Sequence, residues 1–163
     1  MKKLLVLFAL SVLATACSKD TLSPSPHNWV DLGLPSGTLW DSIASKELFS
    51  RTDAMNTYGS HIPTKEQWEE LIEYCEIKHI FTNAYTYKVT GHNGRSIFLP
   101  ASGLLAGKDG WRHGEGYFAF YWTSTPAPAG RTWYVFVERP KNAAVETRFS
   151  EYQKYAVALV SHD

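Results

Sequence analysis

The sequence predicts a single α+β domain that follows an N-terminal leader. Three observations predict this class: an amphipathic helix in the first half, strand-like segments after residue 85, and the absence of a second linker or a fixed-period repeat. Helices followed by closely spaced strands favour antiparallel sheets over a parallel, doubly wound sheet. A chain of 163 residues is long enough to bury a core without disulfides.

The first sixteen residues have the pattern of a signal peptide. Lys2 and Lys3 give a basic start, Leu4–Leu13 is an apolar run, and small residues follow directly before Cys17. This arrangement resembles the bacterial lipobox, in which the cysteine thiol is diacylated and becomes the new N-terminus. The alternative is a plain secretory signal that happens to contain a cysteine. The lipobox predicts a protein anchored by lipid to the outer membrane, and the sequence leaves open which face carries it.

Residues 17–28 combine the lipidated cysteine with a flexible spacer. The segment Ser18–Asn28 has two prolines, three serines and one apolar leucine, so it cannot bury enough surface to fold. It would hold the domain, residues 29–163, up to roughly 30 Å from the lipid. With Cys17 acylated, Cys75 is left without an intramolecular disulfide partner.

The charge balance excludes one class of partner. Loss of the leader removes Lys2 and Lys3 and leaves 14 basic against 16 acidic side chains. No basic stripe remains, so nucleic acid is not an expected partner.

Two helices are predicted before the strands. The stronger covers Pro63–Cys75, because Thr64 and Gln67 form a T-x-x-Q capping box. Its apolar side chains recur at helical spacing and predict one buried face: Trp68, Leu71, Ile72 and Cys75. A shorter helix is predicted from Thr52 as N-cap to Tyr58, closed by Gly59.

The rest of the domain is predicted to be strands. Tyr85–Thr90 and Arg95–Leu99 flank the turn 91–94 and read as a hairpin that Pro100 ends. Further strands are predicted from aromatic and β-branched content: Tyr121–Thr125, Thr132–Val137, Val145–Phe149 and Tyr155–Val160. Strand alternation predicts that one of Tyr121 and Trp122 enters the core and the other faces out.

Glycines mark two further segments. In Asp31–Gly37 the glycines lie between two short apolar strands, so positive φ angles are expected there. The stretch Gly103–Gly116 has no periodicity and is predicted to be an exposed functional loop.

Four segments in order resemble one family: Asp31–Trp40 (DLGLPSGTLW), Pro63–Leu71 (PTKEQWEEL), Tyr87–Gly103 (YKVTG, then IFLPASG) and Tyr121–Thr125 (YWTST). Their content is similar to the Fibrobacter succinogenes major paralogous domain of Bacteroidetes lipoproteins. The resemblance implies a single, loop-rich C-type-lectin-like domain, of the branch shared with formylglycine-generating enzymes, and no established activity. Those enzymes use a pair of cysteines, whereas Cys75 is alone in the mature chain.

The motifs for catalysis or cofactors are incomplete. Gly103–Lys108 is one residue short of a phosphate loop, and Asp109 stands where the magnesium-binding hydroxyl would be. The six histidines show neither H-x-H nor H-x-x-x-H spacing, so no metal site is predicted. We therefore expect no catalytic residues, no metal and no cofactor, and a protein that is not an enzyme.

The predicted ligand site lies in the glycine-rich stretch. It combines aromatic and charged side chains in the way that sugar or protein sites do, and its predicted residues are Lys108, Asp109, Trp111, Arg112, His113, Glu115 and Tyr117. Trp133 is predicted to line the same surface. The alternative is that Trp111, Tyr117 and Phe118 fold back as a small core while the charges remain solvated.

The function predicted from these features is a lipid-anchored cell-envelope module that binds a glycan or an envelope protein. A structural or accessory subunit of a surface assembly, such as a fimbria, is the alternative. An enzyme would need clustered titratable groups, and only Asp109, His113 and Glu115 are close enough in sequence to suggest one.

Overall fold

The computed structural model describes residues 27–81, 84–107, 110–138, 142–149 and 152–161. The predicted signal peptide and lipidated Cys17 lie outside these ranges, as do Lys108 and Asp109. Over the described ranges the chain has two α-helices and several antiparallel sheets, so the predicted α+β class is confirmed. None of the helices in these ranges has the length and apolar content needed to cross a membrane.

The two helices are α1 (Arg51–Tyr58) and α2 (Lys65–Tyr74), joined through a 3₁₀ turn, Gly59–His61. At the start of α2, Thr64 Oγ1 accepts the Gln67 N–H at 3.2 Å and Gln67 Oε1 accepts the Thr64 N–H at 2.8 Å. The predicted capping box is therefore confirmed. Trp68 and Leu71 are fully buried on the predicted apolar face.

The predicted N-cap of α1 is wrong. Ser50, not Thr52, caps the helix, because Ser50 Oγ accepts the Asp53 N–H at 3.1 Å. Ser50 has an extended backbone and ends a strand, so the helix begins as soon as that strand stops. Gly59 closes the helix with φ 50°, as expected.

Thirteen strands are found in the described ranges: β1 (Trp29–Asp31), β2 (Leu39–Asp41), β3 (Phe49–Ser50), β4 (Glu76–Phe81), β5 (Tyr85–Thr90), β6 (Ser96–Pro100), β7 (Leu104–Ala106), β8 (Trp111–His113), β9 (Phe118–Pro126), β10 (Arg131–Glu138), β11 (Asn142–Phe149), β12 (Lys154–Tyr155) and β13 (Val160–Ser161). They form four small sheets, with the orders β1-β2-β13, β11-β10-β9, β3-β12-β7-β8 and β4-β5-β6. All pairs within these sheets are antiparallel.

Most of the predicted strands are confirmed. The hairpin is β5 and β6, with Val89 opposite Ile97, and three further predictions lie inside β9, β10 and β11. The prediction of one strand over Tyr155–Val160 is wrong, because only its ends belong to strands, β12 and β13, and Ala156 between them forms an isolated parallel bridge with Tyr121. Between β12 and β13, the backbone forms hydrogen bonds with strands of two other sheets. The Ala156 N–H donates to the Phe120 carbonyl of β9, and the Leu159 carbonyl accepts the Asp41 N–H of β2. The segment crosses from one sheet to another.

The sheet β11-β10-β9 lies at the centre of the core and is covered on both faces. One face packs against Trp68 and Leu71 of α2, and it presents Ala119, Tyr121, Val135 and Val137. The other face packs against Tyr155 and Ala54, and it presents Phe120, Trp122 and Tyr134. A sheet that is covered on both sides buries consecutive residues.

The prediction that one of Tyr121 and Trp122 faces out is therefore wrong, since both are fully buried. Their polar tips are satisfied inside the core. The Tyr121 hydroxyl donates to the Pro100 carbonyl at 2.8 Å, and Trp122 Nε1 donates to the Phe49 carbonyl at 2.8 Å.

The predicted loop Gly103–Gly116 is mostly a hairpin, so that prediction is also wrong. β7 and β8 pair with Leu104 opposite His113 and Ala106 opposite Trp111. Gly103 permits the close approach, because a Cβ there would lie 2.2 Å from the His113 carbonyl oxygen. Leu104 is buried and ties the hairpin to the core, whereas all three residues of β8 are exposed.

The turn before β2 matches its prediction, because Gly33 and Gly37 both have φ 72°. It is fastened to α2 by Glu70, whose carboxylate accepts the Ser36 N–H at 2.8 Å and the Ser36 hydroxyl at 2.6 Å. These two hydrogen bonds to a charged acceptor attach the turn to α2.

Candidate functional site

A cleft of about 360 Å³ opens at the end of the β4-β5-β6 sheet. Its lining comes from five separate parts of the chain: Lys46 between β2 and β3, Phe81 at the end of β4, Ala84 and Tyr85 at the start of β5, Pro100, Ala101 and Ser102 at and after the end of β6, and Glu115 and Gly116 between β8 and β9. We call it the aromatic cleft.

One wall of the aromatic cleft is built from stacked rings. Phe81 and Tyr85 are directly opposite each other across β4 and β5, with ring centroids 4.9 Å apart. His79 lies two residues before Phe81 on the same face and stacks on Tyr85 at 5.2 Å, with an interplanar angle of 13°. The Tyr117 ring also stacks with Tyr85, with centroids 6.3 Å apart and an interplanar angle of 23°. The four rings form one continuous platform.

The platform is exposed to solvent although its rings are large and apolar. The exposed fractions are 65% for Phe81, 42% for Tyr85 and 56% for Tyr117. Single exposed apolar residues are ordinary, but a contiguous group beside a cavity is typical of a binding surface.

The backbone at Gly116 lets this platform form. Gly116 has φ 81°, and a Cβ there would lie 3.0 Å from Tyr85 Cδ2, so a side chain would push the Tyr85 ring away. Backbone hydrogen bonds also hold the segment that contains Gly116 and Tyr117. The Gly116 N–H donates to the Ala101 carbonyl at 2.7 Å, and the Tyr87 hydroxyl donates to the Tyr117 carbonyl. The rings are therefore placed before any ligand arrives.

The polar side chains around the cleft differ in how they are paired. Arg112 Nη1 lies 2.9 Å from Glu115 Oε1, so the Glu115 charge is neutralised by a neighbour. Ser102 is buried and its hydroxyl donates to the Pro100 carbonyl at 3.3 Å. Lys46 is exposed and forms no ion pair with any residue that the structure describes.

The structure brings together only some of the residues predicted from the sequence. Glu115 lines the cleft, Tyr117 extends its platform, and Arg112 holds Glu115. Trp111 and His113 alternate with Arg112 on β8 and therefore project from the opposite face of the hairpin. Lys108 and Asp109 lie outside the described residues.

Trp133 lies apart from the cleft. It is in β10, five positions before Glu138, the partner of Phe118, which places it roughly 17 Å along the strand from that end. Its ring faces α2, where the Lys65 ammonium lies 5.2 Å from the ring centroid. Trp133 therefore belongs to the packing of α2 against the central sheet.

The alternative prediction was that Trp111, Tyr117 and Phe118 fold back as a small core, and it holds for Phe118 alone. Phe118 packs on Phe136, with ring centroids 5.6 Å apart, and joins the core on that side. Tyr117 stays exposed at the cleft, and Trp111 is 69% exposed on β8. The segment from Trp111 to Phe118 therefore contributes one ring to the core and exposes two others to solvent.

Lys46, Phe81 and Tyr85 were not predicted as site residues. The alternation in Glu76–Phe81 was the available signal for a strand, and it places His79 and Phe81 on one face. Nothing local in the sequence indicates that Lys46 lies beside them, because the β2–β3 connection reaches the cleft only through tertiary packing.

Among the described residues, no group of three His, Cys, Asp or Glu side chains converges to hold a metal ion.

No family model matches the chain, and no curated protein and no solved structure matches it either. The aromatic cleft is therefore the feature from which a function is best argued.

Proposed function

We propose that this protein is a non-catalytic, lipid-anchored binding module of the bacterial cell envelope that recognises a glycan at the aromatic cleft. The exposed platform of Phe81, Tyr85 and Tyr117 carries the proposal. The apolar C–H face of a pyranose ring stacks on aromatic rings of this kind, while its hydroxyls need polar partners at the edge. Ser102 and Glu115 lie where such partners are needed.

The sequence supports the cellular setting of this proposal. The predicted leader, the predicted lipidation of Cys17 and the predicted spacer support a position at a membrane surface, where glycans are abundant. The finer fold, a C-type-lectin-like domain of the Fibrobacter succinogenes major paralogous family, rests on the four motifs and is compatible with the observed α+β architecture. The absence of catalytic spacing in the sequence supports a binding role.

A glycan array tests the proposal directly. Full-length protein extracted in mild detergent is compared with Phe81→Ala and Tyr117→Ala, which remove exposed rings without opening the core. Each should weaken saturable binding about tenfold, the effect of losing a central aromatic contact.

Tyr74→Ala is the matched control. Tyr74 is an exposed aromatic at the end of α2, and β4 separates it from the cleft. Equal loss in Tyr74→Ala, or saturable binding that neither cleft variant changes, would contradict the assignment of the cleft. Absence of any glycan ligand would contradict the function.

A subunit of a surface assembly is a second candidate. Trp111 favours it, since this large ring is mostly exposed on β8, which is an edge strand of its sheet. Light scattering on the detergent-extracted protein separates the two. A monomer at high concentration that recovers no envelope protein from extracts would count against the assembly role.

A further inference from the structure

The charges around the aromatic cleft are unequal. The cleft is lined by one basic and one acidic side chain, Lys46 and Glu115. Glu115 is already paired with Arg112 at 2.9 Å, whereas Lys46 forms no ion pair with a described residue. Among the two charged side chains that line the cleft, Lys46 is therefore the one without an ion-pair partner in the described part of the chain.

Lys46 is carried by a connection that is fixed on both sides. The Ala44 N–H donates to the Phe98 carbonyl and the Ser45 N–H donates to the Val157 carbonyl, both at 2.9 Å. After Lys46, the Glu47 N–H donates to Ser45 Oγ at 2.9 Å. The backbone that carries the ammonium is thus held in place, and less ordering is needed when a ligand binds.

The dimensions of the cleft limit its occupant. A volume of about 360 Å³ is at the small end of the range for small-molecule sites, roughly 300–1,000 Å³. A cleft of this size has room for one or two sugar rings. The platform fixes the plane of such a sugar ring, and Lys46 lines the same cleft.

From the free ammonium of Lys46 beside the ring platform, we infer that the cleft selects saccharides that carry a carboxylate. The sugar ring packs on the exposed part of the ring platform, where Phe81 is the most exposed ring, and its carboxylate pairs with Lys46. The Ser102 oxygen, whose proton goes to the Pro100 carbonyl, and the second carboxylate oxygen of Glu115 can accept hydrogen bonds from the sugar hydroxyls. This inference rests on the proposed glycan-binding function and adds the charge of the ligand to it.

The experiment uses matched sugar pairs that differ only in the carboxyl group. Oligomers of glucuronate and glucose, galacturonate and galactose, and mannuronate and mannose are titrated into the full-length, detergent-extracted protein. At least one acidic member should bind about fivefold more tightly than its neutral parent, and salt should reduce this preference. Lys46→Gln should abolish the preference, because the affinity for the acidic member should fall towards that for its neutral parent.

Lys78→Gln is the matched control, because it removes the same charge from the opposite face of β4. It should keep the preference. Phe81→Ala should weaken both members of a pair alike, since the ring platform contacts the sugar whatever its charge.

The outcomes separate the two proposals. Equal binding of acidic and neutral members would overturn the inference and leave the glycan function standing. A preference that survives in Lys46→Gln, or is lost in Lys78→Gln, would overturn the assignment to Lys46. Failure of all six sugars to bind would overturn the inference, and the glycan array would then decide the proposed function by itself.

Discussion

Tyr85 is the residue at which the parts of the cleft meet. Its ring contacts His79, Phe81 and Tyr117, which come from β4 and from the connection before β9. Its carbonyl accepts the Ala101 N–H at 3.2 Å and so joins the start of β5 to the segment after β6. One side chain and one backbone group therefore hold three segments in register around the cavity.

Cys75 contributes to packing and not to the cleft, because its surroundings favour the neutral thiol. It follows α2, is partly buried against the core, and has no disulfide partner among the described residues. Burial first, and the nearby Glu70 carboxylate second, raise the pKa of the Cys75 thiol to about 11. Both causes disfavour the thiolate, so Cys75 behaves as a small apolar side chain.

This shift predicts slow alkylation of Cys75 in the native protein. At pH 8 the thiolate fraction should be about a hundredfold lower than for a thiol with its ordinary pKa, so iodoacetamide should modify native Cys75 about a hundredfold more slowly than in denaturant. Mass spectrometry of the Cys75 peptide measures both rates. The native rate should keep rising with pH towards about 11. A plateau near pH 9 would contradict the raised pKa.

At the scale of elements, α2 owes its position to contacts at its first turn. The capping box fixes Thr64 and Gln67, and the Lys65 N–H donates to Thr125 Oγ1 at the end of β9 at 2.8 Å. The backbone N–H groups of Thr64, Lys65 and Gln67 at the helix start thus have hydrogen-bond acceptors, and one of these bonds attaches the helix to the central sheet. Trp68, one turn later, packs edge-on against Trp40 at 4.8 Å.

Thr64→Ala should destabilise the protein by about 1 kcal/mol, because it leaves the Gln67 N–H without its cap. Urea unfolding followed by circular dichroism measures the change. Thr64→Ser keeps the hydroxyl and should recover most of the loss. If Thr64→Ser were as unstable as Thr64→Ala, the lost methyl contacts and not the cap would explain the effect.

The sequence was informative where the structure depends on neighbours along the chain. The second helix and the β5–β6 hairpin were predictable because a cap and a turn specify them locally. The β7–β8 hairpin and β4 were missed, since their partners and their buried faces are set by tertiary packing. Likewise Glu115 and Tyr117 could be predicted as site residues, whereas Lys46 reaches the cleft from a distant connection.

At the scale of the whole molecule, the domain begins where the spacer was predicted to end. His27 Nδ1 lies 2.7 Å from Asp41 Oδ2, and the Asn28 carbonyl accepts the Ser42 N–H at 2.9 Å. Both residues therefore contact β2 or the residue after it. His27 and Asn28, which were predicted to be part of the spacer, therefore belong to the domain.

The proposed anchor predicts opposite behaviour for the two cysteines. A clickable palmitate analogue fed to cells should label the wild-type protein and Cys75→Ala, and both should enter the detergent phase of Triton X-114. Cys17→Ala should lose the label and remain in the aqueous phase, because the thiol at the lipobox position is gone and Cys75 lies in the folded domain. Since the cleft is built entirely from residues after the spacer, Cys17→Ala should bind sugars with unchanged affinity. Label retained in Cys17→Ala would show that Cys17 is not the acylated residue, and the module would then be held at the envelope by other means.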